Sequence, residues 1–389
     1  MTQVEGPLPP MAPSPSPNKQ SVNLDFLRAT GLLTVCAVHY ADTYFGITSS
    51  DYFFGRLGQC ALMCFFVHTA LVLMWSMERS EKAGPHIYLP FYVRRFFRLY
   101  PLAIVLVLLA FFWDARWFPP SLWQNLTLTE FIFPSRGPAV PATVVPLWSL
   151  AVEMEMYLFL PAMFLFFRDR PASLLMGVWA LSIPLCWLQP RLGPEFILLK
   201  YLPCFIGGVL AWRLMRNTDR RRLPGWLWPV VLAGVASLWG FFSRAWPTFS
   251  IAMVGLALGT IIPLFRDISA GPVATASSLL TRYSYGGYLW HFPIILFVLR
   301  ETSHDDRHFR FLPLMPVIHH YARPIDLLLI VIAVSVCSIA TYHLIEEPGI
   351  ELGRRLAKRL ARRVDSPDAP EQLPRDTPAQ RPAVPQQQW

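Results

Sequence analysis

Long apolar runs alternate with short polar segments from residue 23 to residue 346. Crossing the hydrocarbon core in a helix takes about 20 predominantly apolar residues. Ten stretches meet or approach that requirement: 23–44, 57–77, 97–113, 147–167, 172–188, 195–213, 224–242, 246–264, 283–300 and 324–346. The pattern predicts an all-α polytopic membrane protein with about ten transmembrane helices, held in one domain over 22–350. Two connections are long, 114–146, rich in Trp and Pro, and 301–323. Residues 1–21 are Pro-rich without an apolar core, which predicts a disordered tail and not a cleaved signal. The tail at 351–389 opens within a basic, helix-like stretch suited to anionic headgroups and then turns Pro/Gln-rich and disordered. No internal repeat is visible.

Composition agrees. Of the 389 residues, 54% are hydrophobic and only 15% charged, against about 25% charged in a soluble domain. That leaves too little polar surface to coat a soluble globule of this size. The 28 Phe, 14 Trp and 13 Tyr suit aromatic belts at two interfaces. A net charge of +9 could suggest nucleic acid, but the basic residues fall between the apolar runs. With the N-terminus inside, 22 basic residues lie on inner segments and ten on outer ones. That asymmetry predicts both termini cytoplasmic, in a plasma or inner membrane. The six cysteines all sit within apolar stretches, so no disulfide framework is expected.

Ionisable side chains inside spans are costly and therefore draw attention. The first span carries Asp25, Arg28, His39 and Asp42. Arg28 and His39 are eleven residues apart, about three helical turns, and so share a face. Asp25 and Asp42 each lie three residues from one of them, within side-chain reach. An imidazole beside a carboxylate is the arrangement of a general base; a structural polar seam between helices is the alternative. In the fourth span, VPLWSLAVEMEMYLFLP, Glu153 has Ser149 and Tyr157 one turn away on its own face, while Glu155 points almost opposite. Glu153 then faces a polar cavity or pairs with a basic residue of another span. Helical rise places His39 and Glu153 in the outer half of the membrane, with the arginines of LPFYVRRFFRLYP at the inner face. A cavity shared by His39 and Glu153 is the expectation.

Those arginines, Arg94, Arg95 and Arg98, have aromatics between them. Guanidinium forks suit phosphates, yet ordinary positive-inside anchoring explains the same pattern. His291 follows Gly286 and Gly287 in the ninth span, as a functional group or as an interhelical donor. Cys60, Cys64 and His68 recur every fourth residue, but three ligands on one helix face diverge, and no metal is expected. His304, His308, His319 and His320 read as a solvated loop. There is no Walker loop, dinucleotide fingerprint or nucleophile elbow.

Taken together, these segments resemble the acyltransferase-3 family of integral membrane acyltransferases, many of which O-acetylate glycans. Arg28 followed by His39 is similar to its Arg/Lys-x10-His motif. Arg95-Phe-Phe-Arg98 is similar to its Arg-x-x-Arg element, and Trp148-Ser-Leu-Ala-Val-Glu153 to its Trp-Ser-Leu-x-x-Glu segment. Ser284 to His291 and Ile345-Glu346-Glu347-Pro348 resemble its last two landmarks. The resemblance implies transfer of an acyl group, such as acetyl, from acyl-CoA to a hydroxyl of a glycan or lipid-linked sugar. It implies a catalytic set of His39, Glu153, Asp42 and Arg28, with the histidine as base or acyl carrier. Arg95, Arg98 and Arg94 would hold the donor, and His291, Trp148, Ser149 and Tyr157 would supply polar contacts. His68-Thr69-Ala70 departs from the family's Ser-Gly-Phe. The C-terminal hydrolase-like domain of some members is absent, so the membrane domain or a separate protein would complete transfer. Two rivals stand beside this reading. A transporter would show repeats, and a glycosyltransferase using lipid-linked sugars would place acidic residues in outer loops, where Asp51 and Asp114 are candidates.

Overall fold

A computed structural model describes residues 21–46, 53–82, 88–113, 120–129, 146–216, 223–302 and 322–365. Among the described residues thirteen α-helices follow one another: α1 (Val22–Phe45), α2 (Phe53–Glu81), α3 (Tyr88–Trp113), α4 (Pro120–Thr127), α5 (Leu147–Phe167), α6 (Ala172–Leu192), α7 (Ile197–Met215), α8 (Trp228–Phe242), α9 (Pro247–Ile261), α10 (Pro272–Arg282), α11 (Ser284–Thr302), α12 (Ala322–Thr341) and α13 (Glu347–Asp365). Among the described residues, strand-like pairing is limited to an isolated bridge between Leu223 and Phe265. The chain is an all-α polytopic membrane protein. Eight helices among the described residues are long and apolar enough to cross a membrane: α2, α3, α5, α6, α7, α8, α9 and α12. Two more of the expected spans fall short of that standard. α1 has 24 residues but carries Asp25, Arg28 and Asp42, and the apolar run of α11 covers only Ser284–Leu299. These two hold His39 and His291.

Three elements differ from the sequence pattern. α3 begins at Tyr88, nine residues before the expected span at 97. Its arginines are kept from lipid: Arg94 Nη2 donates to Ser80 Oγ at 2.8 Å, and Arg95 and Arg98 line a cavity. α10 occupies what reads as a polar connection. Pro272 sits in its first turn, where no N–H is missed, and Thr281 Oγ1 ties its end to the Asp25 carbonyl at 2.9 Å. α12 runs through a π turn at Tyr342–Glu346 directly into α13. The Glu347 N–H bonds back to the Tyr342 carbonyl across that turn, and Pro348, which has no N–H to place in the ladder, follows at once.

α2 and α7 pack side by side at the centre, with α1, α8 and α9 against α2, and α6 and α9 against α7. Phe66 of α2 lies between Tyr201 and Phe205 of α7, ring centroids 5.0 and 4.8 Å away. α7 and α9 cross backbone to backbone. A Cβ on Gly255 would stand 2.6 Å from the Pro203 carbonyl oxygen, and one on Gly259 would stand 2.6 Å from that of Gly207. Small residues four apart allow this approach in an apolar medium, where dispersion and not water exclusion holds helices together. Against this rigid centre α1 packs on α2, α10 and α11, which brings the polar stripe of α1 to face α11. All six cysteines are free.

Candidate active site

Arg28 from α1, His68 from α2, Arg95 and Arg98 from α3, and Glu153 and Tyr157 from α5 line one cavity of about 450 Å³, within the range of small-molecule sites. Arg95 and Arg98 are three residues apart and therefore turn the same way. The Arg95 Nε is buried without a partner among the described residues. Arg28 is held from one side: its Nε donates to Ser284 Oγ at 2.6 Å, and that hydroxyl donates to the Thr281 carbonyl at 2.8 Å. Glu153 accepts the Tyr157 hydroxyl one turn along α5, and its charge reaches Arg28 and Arg95. Three guanidiniums against two carboxylates, Glu153 and the buried Glu346, still leave an excess of N–H donors and one positive charge, which suits an anionic, phosphate-like ligand.

A second group adjoins the cavity. The ring of His39 lies 5.3 Å from that of His291 and 4.9 Å from that of Phe292, centroid to centroid. Asp42 is near enough for its charge to act on His39. His291 is completely buried, and its Nδ1 stands 2.6 Å from the Tyr288 carbonyl. A carbonyl only accepts, so the proton is on Nδ1, and in the neutral ring the lone pair is on Nε2. Nε2 has no partner among the described residues. The Tyr288 ring, 5.6 Å from His291, itself lines the cavity. Its hydroxyl lies 2.6 Å from Ser149 Oγ, and both hydroxyls reach the Pro146 carbonyl, at 3.1 and 3.2 Å.

The sequence-derived residues therefore divide. Arg28, Arg95, Arg98, Glu153, Tyr157 and Ser149 line the cavity, and His39, Asp42 and His291 form the cluster beside it. Arg94 turns away to Ser80. Trp148 packs toward Tyr201, centroids 5.9 Å apart, as part of the core. His39 and Glu153 do not line one cavity, contrary to the expectation from helical rise: Glu153 sits with the arginines, and Tyr288 and His291 stand between that group and His39. The cause is the early start of α3, which puts Arg95 and Arg98 seven and ten residues into a helix, roughly 10–15 Å along its axis.

Three residues of this region had no assigned role in the sequence reading: Tyr288, His68 and Glu346. Glu346 is 3% exposed in the π turn, and the charges of Arg98 and Arg28 act on it. A side chain at Gly286 would meet its Oε1 at 3.1 Å. The available signal was the Ile345-Glu346-Glu347-Pro348 segment, since π turns gather at functional sites. Among the described residues, no three His, Cys, Asp or Glu side chains form a group able to hold a metal. Asp51, Asp114, His304, His308, His319 and His320 lie outside the described residues.

Comparison with known proteins adds an independent line. A family model described as an acyltransferase domain matches residues 21–343. Peptidoglycan O-acetyltransferase OatA of Listeria monocytogenes is 24% identical over 335 residues, covering 70% of this chain and 49% of OatA. Acyltransferase MdmB of Streptomyces mycarofaciens is 27% identical over 320 residues, covering 70% of this chain and 78% of MdmB. The chain thus spans about half the length of OatA. No solved structure matches.

Proposed function

The chain belongs to the acyltransferase-3 family, and from that premise we propose that it transfers an acyl group, acetyl in the simplest case, from acyl-CoA to a hydroxyl of a carbohydrate-containing acceptor. The observation that carries the reading is the cavity in which Arg28, Arg95 and Arg98 meet Glu153. Its donors and positive charge match the phosphates of the acyl-CoA. The acceptor class is supported by the relative whose name gives peptidoglycan O-acetylation. Membership in the family and the lack of a visible repeat weigh against the transporter and glycosyltransferase alternatives.

In this mechanism the donor phosphates rest on Arg95 and Arg98, and the acyl arm extends toward His39. His39, oriented by Asp42, takes the proton of the acceptor hydroxyl as the oxygen attacks the thioester carbonyl. The C–S bond then breaks, the acyl group remains on oxygen, and the leaving thiolate recovers the proton from His39. Glu153 orients the acceptor on the cavity side of Tyr288 and His291, and Arg28 beside it faces the anionic donor. The basic-residue asymmetry puts both termini and the donor on the cytoplasmic side of the cell membrane. Lipid surrounds the spans, and acceptor delivery by a separate protein partner is compatible with this arrangement. The test is direct. Purified protein given acetyl-CoA labelled in the acetyl group and a glycan bearing free hydroxyls should yield a base-labile labelled ester. Intact donor with no labelled ester contradicts the reading.

A further inference from the structure

His68 has no part in the mechanism above, yet it stands in the wall of the same cavity. It is 6% exposed, and Arg28 and Arg98 are near enough for their charges to act on it. Its Nδ1 is buried without a partner among the described residues. The surrounding wall of α2 is aromatic and aliphatic, formed by Phe65, Phe66, Val72 and Leu73 with Thr69 beside the ring. A buried ring nitrogen without a protein partner costs about 1–3 kcal/mol, a cost that a ligand bonded to it removes. The chemistry of the ring says which part of the ligand does so. Guanidiniums offer donors only, whereas a neutral imidazole both donates and accepts. Phosphates need donors, which the arginines already provide in excess. A segment carrying amide N–H, amide carbonyl and hydroxyl groups needs both.

We propose that His68 binds the amide- and hydroxyl-bearing arm that joins the phosphates of acyl-CoA to its thioester. It is then a specificity-determining contact for donors that possess such an arm. This rests on the acyl-CoA reading above. The position next to Arg28 and Arg98 fits it, since an arm attached to phosphates held there would extend along the same cavity wall. Thr69, the next residue, also lines the cavity and offers a hydroxyl.

The test compares two ligands on purified full-length protein by calorimetry: acetyl-CoA, and adenosine 3′,5′-bisphosphate, which has nucleotide and phosphates but no arm. His68→Phe keeps the ring volume and removes both nitrogens, and His68→Gln keeps a donor and an acceptor. The expected result is that His68→Phe weakens acetyl-CoA about tenfold, the effect of one hydrogen bond to a buried partner. Adenosine 3′,5′-bisphosphate should change less than about twofold, and His68→Gln should recover most of the acetyl-CoA affinity. Equal weakening of both ligands would make the ring a general shaper of the site and overturn the proposal. Wild-type binding of acetyl-CoA that His68→Phe leaves unchanged would overturn this contact alone. A wild-type protein that binds no acetyl-CoA would overturn the donor assignment itself, and this contact with it.

Discussion

His291 presents its ring to His39 at a centroid distance of 5.3 Å while its Nδ1 is held by the Tyr288 carbonyl at 2.6 Å. One imidazole is thus fixed in tautomer and buried, and the other is partly open and lies beside Asp42. The fixed ring limits how far His39 can turn, so in the proposed mechanism it would position His39. His291→Phe should lower the transfer rate by about tenfold or more with donor affinity unchanged, because misplaced catalytic groups cost rate and not ground-state binding. His291→Asn, whose amide can still reach the Tyr288 carbonyl, should retain more of the rate. Steady-state kinetics on the two variants check this; a change confined to KM would contradict it.

The donor site makes a separate prediction. Arg95→Gln/Arg98→Gln should weaken acetyl-CoA binding by at least about a hundredfold, since each charge-assisted bond is worth roughly 1.5–3 kcal/mol. Lysine at both positions should rescue only part, because an ammonium loses the planar fork. Arg94→Gln should change donor affinity little, as Arg94 bonds Ser80 and does not line the cavity. Calorimetry with a non-hydrolysable acyl-CoA analogue separates the three.

Much of this arrangement is legible in the sequence, and the reasons for the remainder are physical. The spans of α2, α5 and α9 show themselves because apolar runs of about 20 residues have few other uses. The share of α1 in the site shows itself because Asp25, Arg28, His39 and Asp42 would be penalised against lipid. The start of α3 is hidden. Arginines near an apolar run look like a loop end until Ser80 and the cavity are known to receive them. α10 is hidden because its polar residues give no membrane signal, and it is identified by packing on α1. The Arg28–Ser284 bond joins residues 256 apart, a separation at which no local spacing rule operates. Glu346 carries a motif but no local partner, and its neighbours Arg28, Arg98 and Gly286 come from three other helices.

Glu153 and Tyr157 give a third prediction. Tyr157 is 2% exposed and donates to Glu153. Tyr157→Phe keeps the packing but leaves the carboxylate without that donor, which costs about 1–3 kcal/mol. The acceptor KM or kcat should suffer, whereas acyl-CoA affinity should hold within a factor of about three. Loss of donor affinity alone would reassign Glu153 to the donor site.

The α7–α9 crossing gives a prediction about stability. Gly255→Ala inserts a methyl group 2.6 Å from the Pro203 carbonyl oxygen, at a contact of two backbones with no flexible side chain to yield. Overpacking of this kind costs roughly 1–3 kcal/mol. Thermal unfolding of the purified variant should occur at a lower temperature, and the surviving folded protein should bind donor as the wild type does. Equal stability would mean that α7 and α9 can move apart.

The proposed division of labour gives the donor to the arginine cavity and the proton transfer to His39. The most direct measurement is single-turnover transfer from labelled acetyl-CoA by wild type and His39→Ala at matched folded concentration, with donor affinity measured on the same samples. The account predicts unchanged acetyl-CoA affinity and a transfer rate lowered by 10²–10⁴, the typical loss on removing a general base. A variant that keeps more than about a tenth of the wild-type rate would contradict it. So would one that loses its rate only because it no longer binds acetyl-CoA.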